Sequence, residues 1–165
     1  MTDVPDSSSL ADLVSISRAS KDNAAEIALV FRASFRVALP YLPELHTAEE
    51  DLQFFSDNVL PSNEVFVAKD IKQRIVGFIA FDEQWVHHLY LLSEFLGRGI
   101  GGRLLNIAKN DRSNLQLWAF QRNERARQFY EKHGFVAVRS TDGAENEEKE
   151  PDILMEWNSP HNKRT

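Results

Sequence analysis

The stretch that decides the fold is Leu96–Leu105, which reads LGRGIGGRLL. It follows the apolar run His87–Leu92 (HHLYLL) and leads into a segment whose apolar side chains recur at helical spacing. Its four glycines permit backbone conformations and close approaches that a Cβ would block. The first amides of a helix have no acceptor within the helix and lie at the positive end of its dipole. A strand, a glycine turn and a helix in this order therefore predict a site for phosphate groups.

Two common nucleotide motifs fit this glycine turn poorly. A P-loop needs a Gly-Lys pair followed by Ser or Thr, and the chain contains no Gly-Lys pair. The dinucleotide pattern Gly-x-Gly-x-x-Gly is present literally at Gly97, Gly99 and Gly102. However, that pattern belongs to the first strand of a βαβ unit and needs an acidic residue after the next strand, where this chain reads LQLWAF. A dinucleotide-binding protein is therefore an alternative that the surrounding sequence does not favour.

A second motif follows the glycine turn. The segment 123–135 has the form Asn-x-x-Ala-x-x-Phe-Tyr-Glu-x-x-Gly-Phe. Together with Gly99-x-Gly101, it resembles the signatures of the GNAT superfamily of N-acetyltransferases, and the resemblance extends over roughly residues 13–157. The chain departs from the family pattern at Leu96, where the family has Gln or Arg.

The fold class can be predicted both from the residues and from the resemblance. A run of strands followed by alternating strands and helices indicates a mixed α/β protein. The resemblance implies a largely antiparallel central sheet of about seven strands, flanked by about four helices and splayed between the fourth and fifth strands. We expect one N-acetyltransferase domain over residues 13–157, with residues 1–12 and 158–165 as flexible tails.

Element boundaries can be predicted from local patterns. Thr47-x-x-Glu50 reads as a capping box at a helix start, and Asn123 is a plausible helix cap. The predicted helices are Lys21 to about Val37, one from Thr47, about Gly99–Asn110 and about Asn123–His133. The predicted strands are Leu13–Arg18, Glu64–Lys69, Arg74–Asp82, Gln84–Leu92, Leu115–Phe120, Phe135–Arg139 and Ile153–Trp157.

Composition excludes several classes of function. The 165 residues include no cysteine, which excludes disulfides, thiolate metal sites and a cysteine nucleophile. A net charge of −6 argues against electrostatic nucleic-acid binding. The sequence shows no signal peptide and no apolar run long enough to span a membrane, so we expect a cytoplasmic protein that contacts no membrane. His46, His133 and His161 show no metal-site spacing with the carboxylates, and we expect no metal.

The resemblance also implies the coenzyme site. It places the pyrophosphate of acetyl-CoA on the amides of the glycine turn, with Arg98 or Arg103 supplying positive charge. It leaves main-chain groups near Leu91 and Leu92 free to bind the pantetheine arm, and it places Asn123 near that arm. The coenzyme-binding residues so predicted are Leu91, Leu92, Gly97, Arg98, Gly99, Ile100, Gly101, Gly102, Asn123 and Tyr130.

The catalytic residues are predicted with different degrees of detail. Tyr130 matches the family tyrosine that faces the coenzyme sulfur, and its phenol can donate a proton to the departing thiolate. His87 and His88 point to opposite faces of a regular strand. The resemblance implies catalytic side chains on the face of positions 85, 87, 89 and 91, which favours His87 as the base. His88, Glu83 and a water relay stay open as alternatives.

The acceptor side is less well determined. Tyr41, Leu42 and His46 are expected to line the acceptor pocket, and the acidic run Asp142–Asp152 is expected to be a solvated loop that could attract a cation. Four aromatic residues are expected to be mostly core: Phe54, Phe55, Trp85 and Trp118. The predicted function is an acyl-CoA-dependent N-acyltransferase that acetylates a primary amine of a small molecule or protein and acts as a monomer or homodimer. The alternative is a GNAT-like module that binds acyl-CoA without catalysis.

Overall fold

The computed structural model describes residues 13–160 of the protein. Its strands are β1 (Ser15–Arg18), β2 (Glu64–Lys69), β3 (Ile75–Phe81), β4 (Val86–Leu91), β5 (Asn114–Phe120), β6 (Val136–Ser140) and β7 (Asp152–Asn158). Its helices are α1 (Ala24–Ala38), α2 (Ala48–Phe54, continued by the π-helical turn Phe55–Val59 and Leu60–Ser62), α3 (Ile100–Lys109) and α4 (Glu124–Lys132). Short 3₁₀ turns at Lys21–Asn23 and Ser93–Phe95 precede α1 and α3.

The strands form two antiparallel sheets that meet at one point. The first sheet has the order β1-β2-β3-β4, and the second has the order β5-β7-β6. An isolated parallel bridge joins Trp85 to Gln116, and the Gln116 amide donates to the Gln84 carbonyl at 2.8 Å. Beyond this bridge β4 and β5 diverge, which confirms the predicted seven strands and the gap between the fourth and fifth. Because strand pairing within both sheets is antiparallel, the parallel sheet of a dinucleotide-binding fold is excluded.

The helix starts confirm the local predictions. The Thr47 side chain accepts a hydrogen bond from the Glu50 amide at 3.1 Å, and the Thr47 amide donates to the Glu50 carboxylate at 3.0 Å. These two bonds satisfy amides that would otherwise lack a partner at the start of α2. Likewise, Asn123 caps α4 by accepting from the Ala126 amide at 3.2 Å.

The predicted tails differ from the structure at one end. Asn158 belongs to β7 and pairs with Asn114, and the Ser159 amide donates to the Ser113 carbonyl at 2.8 Å. The predicted tail boundary at residue 158 is therefore wrong, because the strand pairing continues past Trp157. Residues 1–12 and 161–165, including His161, lie outside the described part of the chain.

Two apolar clusters hold the first sheet from its two faces. On one face α3 packs against β3 and the second sheet, with Ile79 and Leu104 fully buried. On the other face α1 and the π-helical turn pack against β2 and β3, with Ile27 and Phe55 fully buried. Every residue of β3 is buried. This packing fixes β4 as the wall of the gap, since β4 is hydrogen-bonded along its length to the buried β3.

The loop between β6 and β7 depends on a glycine. Gly143 has φ +83°, and a Cβ there would overlap the backbone of Glu150. We expect Gly143→Ala to lower the free energy of unfolding by about 2–4 kcal/mol, since it combines backbone strain with a steric overlap that the main chain cannot relieve. Urea denaturation measures the change.

Gly97→Ala is the matched control for this substitution. Gly97 also has a positive φ, +75°, but nothing lies within 4 Å of its Cβ position. Gly97→Ala should therefore lower the free energy of unfolding only by the strain of the left-handed backbone, about 1–2 kcal/mol. Equal losses in the two variants would show that the contact with Glu150 contributes nothing.

Candidate active site

The gap between β4 and β5 opens into a cleft of about 640 Å³. β4 and β5 form its two walls, and α4 with its capping residue contributes Asn123, Ala126 and Tyr130. The end of α1 and the loop between β6 and β7 complete the lining. The cleft thus lies where the sheet divides, and its walls come from separate regions of the chain, of which only β5 and α4 are consecutive in sequence.

The register of β4 directs some of its main-chain groups across the gap. Leu91 lies opposite Gly77, and the Leu92 amide donates to the Val76 carbonyl at 2.8 Å. In an antiparallel ladder this pattern turns the N–H and C=O of Leu89 and Leu91 away from β3, toward β5. Leu91 is therefore oriented as its predicted role requires. The structure contradicts that role for Leu92, because its N–H is used by Val76 and its carbonyl accepts from the Phe95 amide at 2.9 Å.

The glycine turn has two kinds of glycine. Gly97 and Gly99 have φ of +75° and +82°, and open space surrounds both Cβ positions. At Gly101 a Cβ would lie 3.2 Å from the Phe129 ring, and at Gly102 it would lie 2.9 Å from His133. The missing side chains of Gly101 and Gly102 thus let α3 pack against α4. At these two positions the lack of a side chain serves helix packing, a reason that the sequence pattern did not indicate.

The helix start nevertheless keeps its free amides. The first intrahelical bond of α3 runs from the Arg103 amide to the Gly99 carbonyl at 3.1 Å. The amides of Ile100, Gly101 and Gly102 precede that bond, so they have no acceptor within the helix. They follow directly on the open backbone of Gly97 and Gly99, which is the arrangement that a phosphate group requires.

The two arginines predicted to supply positive charge differ in their contacts. The Arg103 guanidinium donates to the Val14 carbonyl at 3.0 Å, which ties it to the chain before β1 rather than to the glycine turn. Arg98 lies within the turn, half-buried, with its guanidinium 5.8 Å from the centre of the Phe95 ring. Arg98 is therefore the better candidate for a phosphate contact.

Tyr130 lines the cleft from α4. Its ring packs between Phe129 and Phe135, with ring centres 5.2 and 5.5 Å away. Burial raises the pKa of Tyr130 above the ordinary value of a tyrosine, and the nearby Tyr90 adds to the effect. Its phenol consequently keeps its proton at neutral pH, as a proton donor must.

A second phenol, which the sequence pattern did not single out, also faces the cleft. Tyr90 lines the cleft from β4, with its ring edge-on to Phe31 at 5.1 Å. Burial raises the pKa of Tyr90, and the charge of Glu148 raises it further. The alternation of His88, Tyr90 and Leu92 marks these residues as sharing a face. Only the tertiary structure shows that this face reaches the cleft.

His87 occupies a β-bulge. Phe81 pairs with Val86 and Ala80 pairs with His88, so His87 is the extra residue on β4. The predicted shared face of positions 85, 87, 89 and 91 is therefore wrong, because the bulge interrupts the alternation. His87 still lines the cleft, and its Nε2 lies 2.7 Å from a carboxylate oxygen of Asp82.

The other two candidate bases have different surroundings. His88 also lines the cleft, within a group of aromatic rings: Phe31, Phe54, Phe55, Phe78 and Tyr90. Burial, with a smaller contribution from His87, lowers the pKa of His88 to about 4. Glu83 is exposed in the turn between β3 and β4 and is absent from the cleft lining.

The acidic run Asp142–Asp152 is not simply solvated. Glu150 is buried and pairs with Arg122 at 2.9 Å, and Asp152 is buried and accepts from Asn146 at 3.1 Å. Glu145 and Glu148 line the cleft, and neither has a hydrogen bond or ion pair with another described residue. The prediction of a solvated loop is wrong because half of the run folds inward and forms a wall of the cleft.

Several aromatic and loop residues also differ from expectation. Trp118 is 41% exposed and lines the cleft, and Phe54 is 44% exposed, whereas Phe55 is core as expected. Tyr41 stacks on Arg122, with the guanidinium 3.6 Å from its ring centre, and His46 lies 2.5 Å from Glu147. These contacts tie the loop between α1 and α2 to the acidic loop. Two of the predicted acceptor-pocket residues, Leu42 and His46, line an adjoining cavity of about 100 Å³ that shares Leu39 and Glu148 with the cleft.

Two kinds of feature are absent from residues 13–160. No group of three His, Asp or Glu side chains in this range could hold a metal ion. No helix in the same range combines the length and the apolar character needed to cross a membrane.

Known proteins share both the sequence pattern and the fold. A family model described as an acetyltransferase (GNAT) domain matches residues 61–137. A protein of Archaeoglobus fulgidus, named as an uncharacterized N-acetyltransferase, is 32% identical over 133 residues, which cover 70% of this chain and 88% of that protein. PaiA N-acetyltransferase from Thermoplasma acidophilum, solved in complex with coenzyme A, has a TM-score of 0.71 at 20% identity, over 88% of this chain and 99% of its own. Apo YjaB from Escherichia coli has a TM-score of 0.71 at 22% identity, over 87% of this chain and 97% of its own.

Proposed function

The chain belongs to the GNAT family of N-acetyltransferases, and we propose that it transfers acetyl from acetyl-CoA directly to a primary amine. The main observation that supports this proposal is that three elements meet at the open end of the gap. At the Cβ position of Gly101, on α3, the Leu91 side chain is 3.4 Å away and the Phe129 ring is 3.2 Å away. The first turn of α3, the end of β4 and α4 therefore pack directly against one another.

Coenzyme A would lie along this junction. Its pyrophosphate would accept hydrogen bonds from the amides of residues 100–102, with Arg98 beside it. Its pantetheine arm would enter the gap and bond to the main chain of Leu91, with Asn123 on the opposite side. The open space at Gly97 and Gly99 supports this placement, and so does the coenzyme A bound to the similar PaiA enzyme.

The lack of cysteine supports direct transfer. The chain has no cysteine to form a thioester intermediate, and the simplest route is attack of the amine nitrogen on the acetyl carbon of acetyl-CoA itself. The nitrogen–carbon bond forms as the carbon–sulfur bond breaks. Tyr130 donates its phenolic proton to the departing thiolate, and the protons of the ammonium pass to a base and to solvent.

His87 is the base we favour. It lines the cleft and is hydrogen-bonded to a carboxylate. His88 is the weaker choice, because a group with a pKa of about 4 is a poor acceptor for an ammonium proton. Glu83 lies outside the cleft lining, and a water relay stays the alternative to His87.

The cleft favours a cationic acceptor. Glu145 and Glu148 face it without an ion-pair partner among the described residues, and Glu148 lies close enough to Tyr90 to affect its pKa. Glu145 is exposed and Glu148 is partly buried, and carboxylates at the edge of a cleft attract an ammonium group. A monomer or homodimer in the cytoplasm stays our prediction for the protein's state and compartment.

An amine panel tests both the reaction and the acceptor class. The panel contains aliphatic diamines, monoamines of matched length, amino acids and a lysine peptide. We expect thiol release from acetyl-CoA to be fastest with the diamines. The kcat/KM for a diamine should exceed that for the matched monoamine about tenfold, the value of one additional charge-assisted contact. Acetyl-CoA binding without thiol release for any amine would contradict the proposal.

Glu148→Gln separates the acceptor class from the reaction. It should reduce the diamine preference to about twofold or less by raising KM, because it removes the charge and keeps the shape. Glu131→Gln, which makes the same change of charge on the exposed face of α4, is the control and should leave the preference unchanged. A preference retained in Glu148→Gln would refute the role of Glu148.

A further inference from the structure

The turn between β3 and β4 is closed by one oxygen of Asp82. This Oδ1 accepts hydrogen bonds from the Gln84 amide at 2.8 Å and the Trp85 amide at 2.7 Å. The other oxygen, Oδ2, lies 2.7 Å from Nε2 of His87. The two oxygens of one carboxylate therefore make separate contacts, one with the turn and one with the histidine.

The main chain around this carboxylate is also held by hydrogen bonds. The Asp82 amide donates to the Trp85 carbonyl at 2.9 Å, and the Asp82 carbonyl accepts from Nε of Arg112 at 3.2 Å. Trp85 in turn forms the bridge to Gln116 at which β4 and β5 meet. His87 follows two residues later, at the bulge where the gap begins. Asp82 therefore contacts His87 from the side of the gap where β4 and β5 are bridged.

The contact decides which ring nitrogen carries the proton. Partial burial acts to raise the pKa of Asp82, but the hydrogen bonds from His87 and from the Gln84 and Trp85 amides hold it below its usual value. Asp82 is therefore an ionised, acceptor-only group at neutral pH. A neutral His87 that bonds to it must carry its proton on Nε2, which leaves the Nδ1 lone pair to accept a proton from a substrate.

We infer that Asp82 is a positioning residue that sets the tautomer of His87 for proton transfer. This inference rests on the proposed function, in which His87 is the base. When Nδ1 takes a proton from the acceptor ammonium, the ring becomes positive, and the carboxylate on its far side balances that charge. The same division of roles between a carboxylate and a histidine occurs in hydrolase triads.

Asp70 provides a matched control within the chain. In the turn between β2 and β3, its Oδ1 accepts from the Lys72 and Arg74 amides, both at 2.9 Å, and its Oδ2 accepts from Nε of Arg74 at 3.2 Å. Asp70 therefore closes a turn in the same way as Asp82, but it faces no histidine.

Asp82→Asn tests the inference. Asparagine keeps one oxygen for the two turn amides and presents an NH₂ group to His87, which then must accept at Nε2 and carry its proton on Nδ1. We expect kcat with a saturating amine to fall about 100-fold with the affinity for acetyl-CoA unchanged, since general base catalysis contributes about 10²–10⁴. Asp70→Asn should keep the wild-type rate.

A second measurement is independent of activity. Long-range ¹H–¹⁵N NMR spectra of the histidine rings, with His87→Gln used for assignment, should show Nε2–H for His87 in the wild type and Nδ1–H in Asp82→Asn. An unchanged tautomer, or a wild-type rate in Asp82→Asn, would overturn the inference. If His87→Gln is slow and Asp82→Asn is not, only the inference fails. A wild-type rate in His87→Gln would instead overturn the proposed base and, with it, the role of Asp82.

Discussion

Tyr130→Phe will lower kcat about 100-fold or more and change the KM for acetyl-CoA less than about threefold, because general acid catalysis of this kind contributes about 10²–10⁴. The substitution removes only the phenolic hydroxyl. The ring keeps its packing between Phe129 and Phe135, so the fold and the coenzyme site should be unchanged. Steady-state thiol release gives kcat and KM, and calorimetric titration with acetyl-CoA gives the affinity.

Tyr90→Phe is the matched control for this result. Tyr90 is a second, partly buried phenol on the opposite wall of the cleft, and burial raises its pKa as it does that of Tyr130. If Tyr130 is the proton donor, Tyr90→Phe should reduce kcat less than about fivefold, the typical loss of one neutral hydrogen bond. A larger loss in Tyr90→Phe than in Tyr130→Phe would transfer the acid role to Tyr90.

Gly99→Glu will weaken acetyl-CoA binding by more than about 100-fold, which corresponds to about 2.7 kcal/mol. Gly99 precedes the first turn of α3 with φ +82°, and open space surrounds its Cβ position. A glutamate side chain would extend into the space where the pyrophosphate is proposed to lie and would repel it. Calorimetric titration measures the affinity, and the melting temperature with and without acetyl-CoA provides a second readout.

Two variants separate charge from backbone strain at this position. Gly99→Gln has nearly the size of the glutamate but no charge, and Gly99→Ala imposes the left-handed backbone strain alone. We expect the affinity to decrease in the order alanine, glutamine, glutamate. Wild-type affinity in Gly99→Glu would refute the placement of the coenzyme on the glycine turn.

Much of the fold could be predicted because its signals are local. The capping box at Thr47 and the cap at Asn123 depend on residues within one helical turn, and both occur as predicted. The strands follow from alternation and β-branched content, and their ends differ from prediction by only one or two residues. The positive φ angles of Gly97 and Gly99 follow from the same local chemistry.

The site was predicted less completely because its contacts join distant parts of the chain. Leu92 is withdrawn from the coenzyme because Val76, on the neighbouring strand, takes its amide. Gly102 serves packing because His133 lies against it. Neither partner can be identified from the spacing of residues along one segment.

The sequence by itself determined the class of fold, the glycine turn with its free amides, the helix that carries Tyr130 and the absence of a cysteine nucleophile. Each of these depends on backbone preferences or side-chain chemistry within a few neighbouring residues. Only the tertiary structure decided that His87 lies on a bulge beside Asp82, that Tyr90 faces the cleft and that Glu148 lines it. The reason is physical: a bulge and a folded-in loop arise from strand pairing and burial across the whole domain, which balance many weak contacts at once.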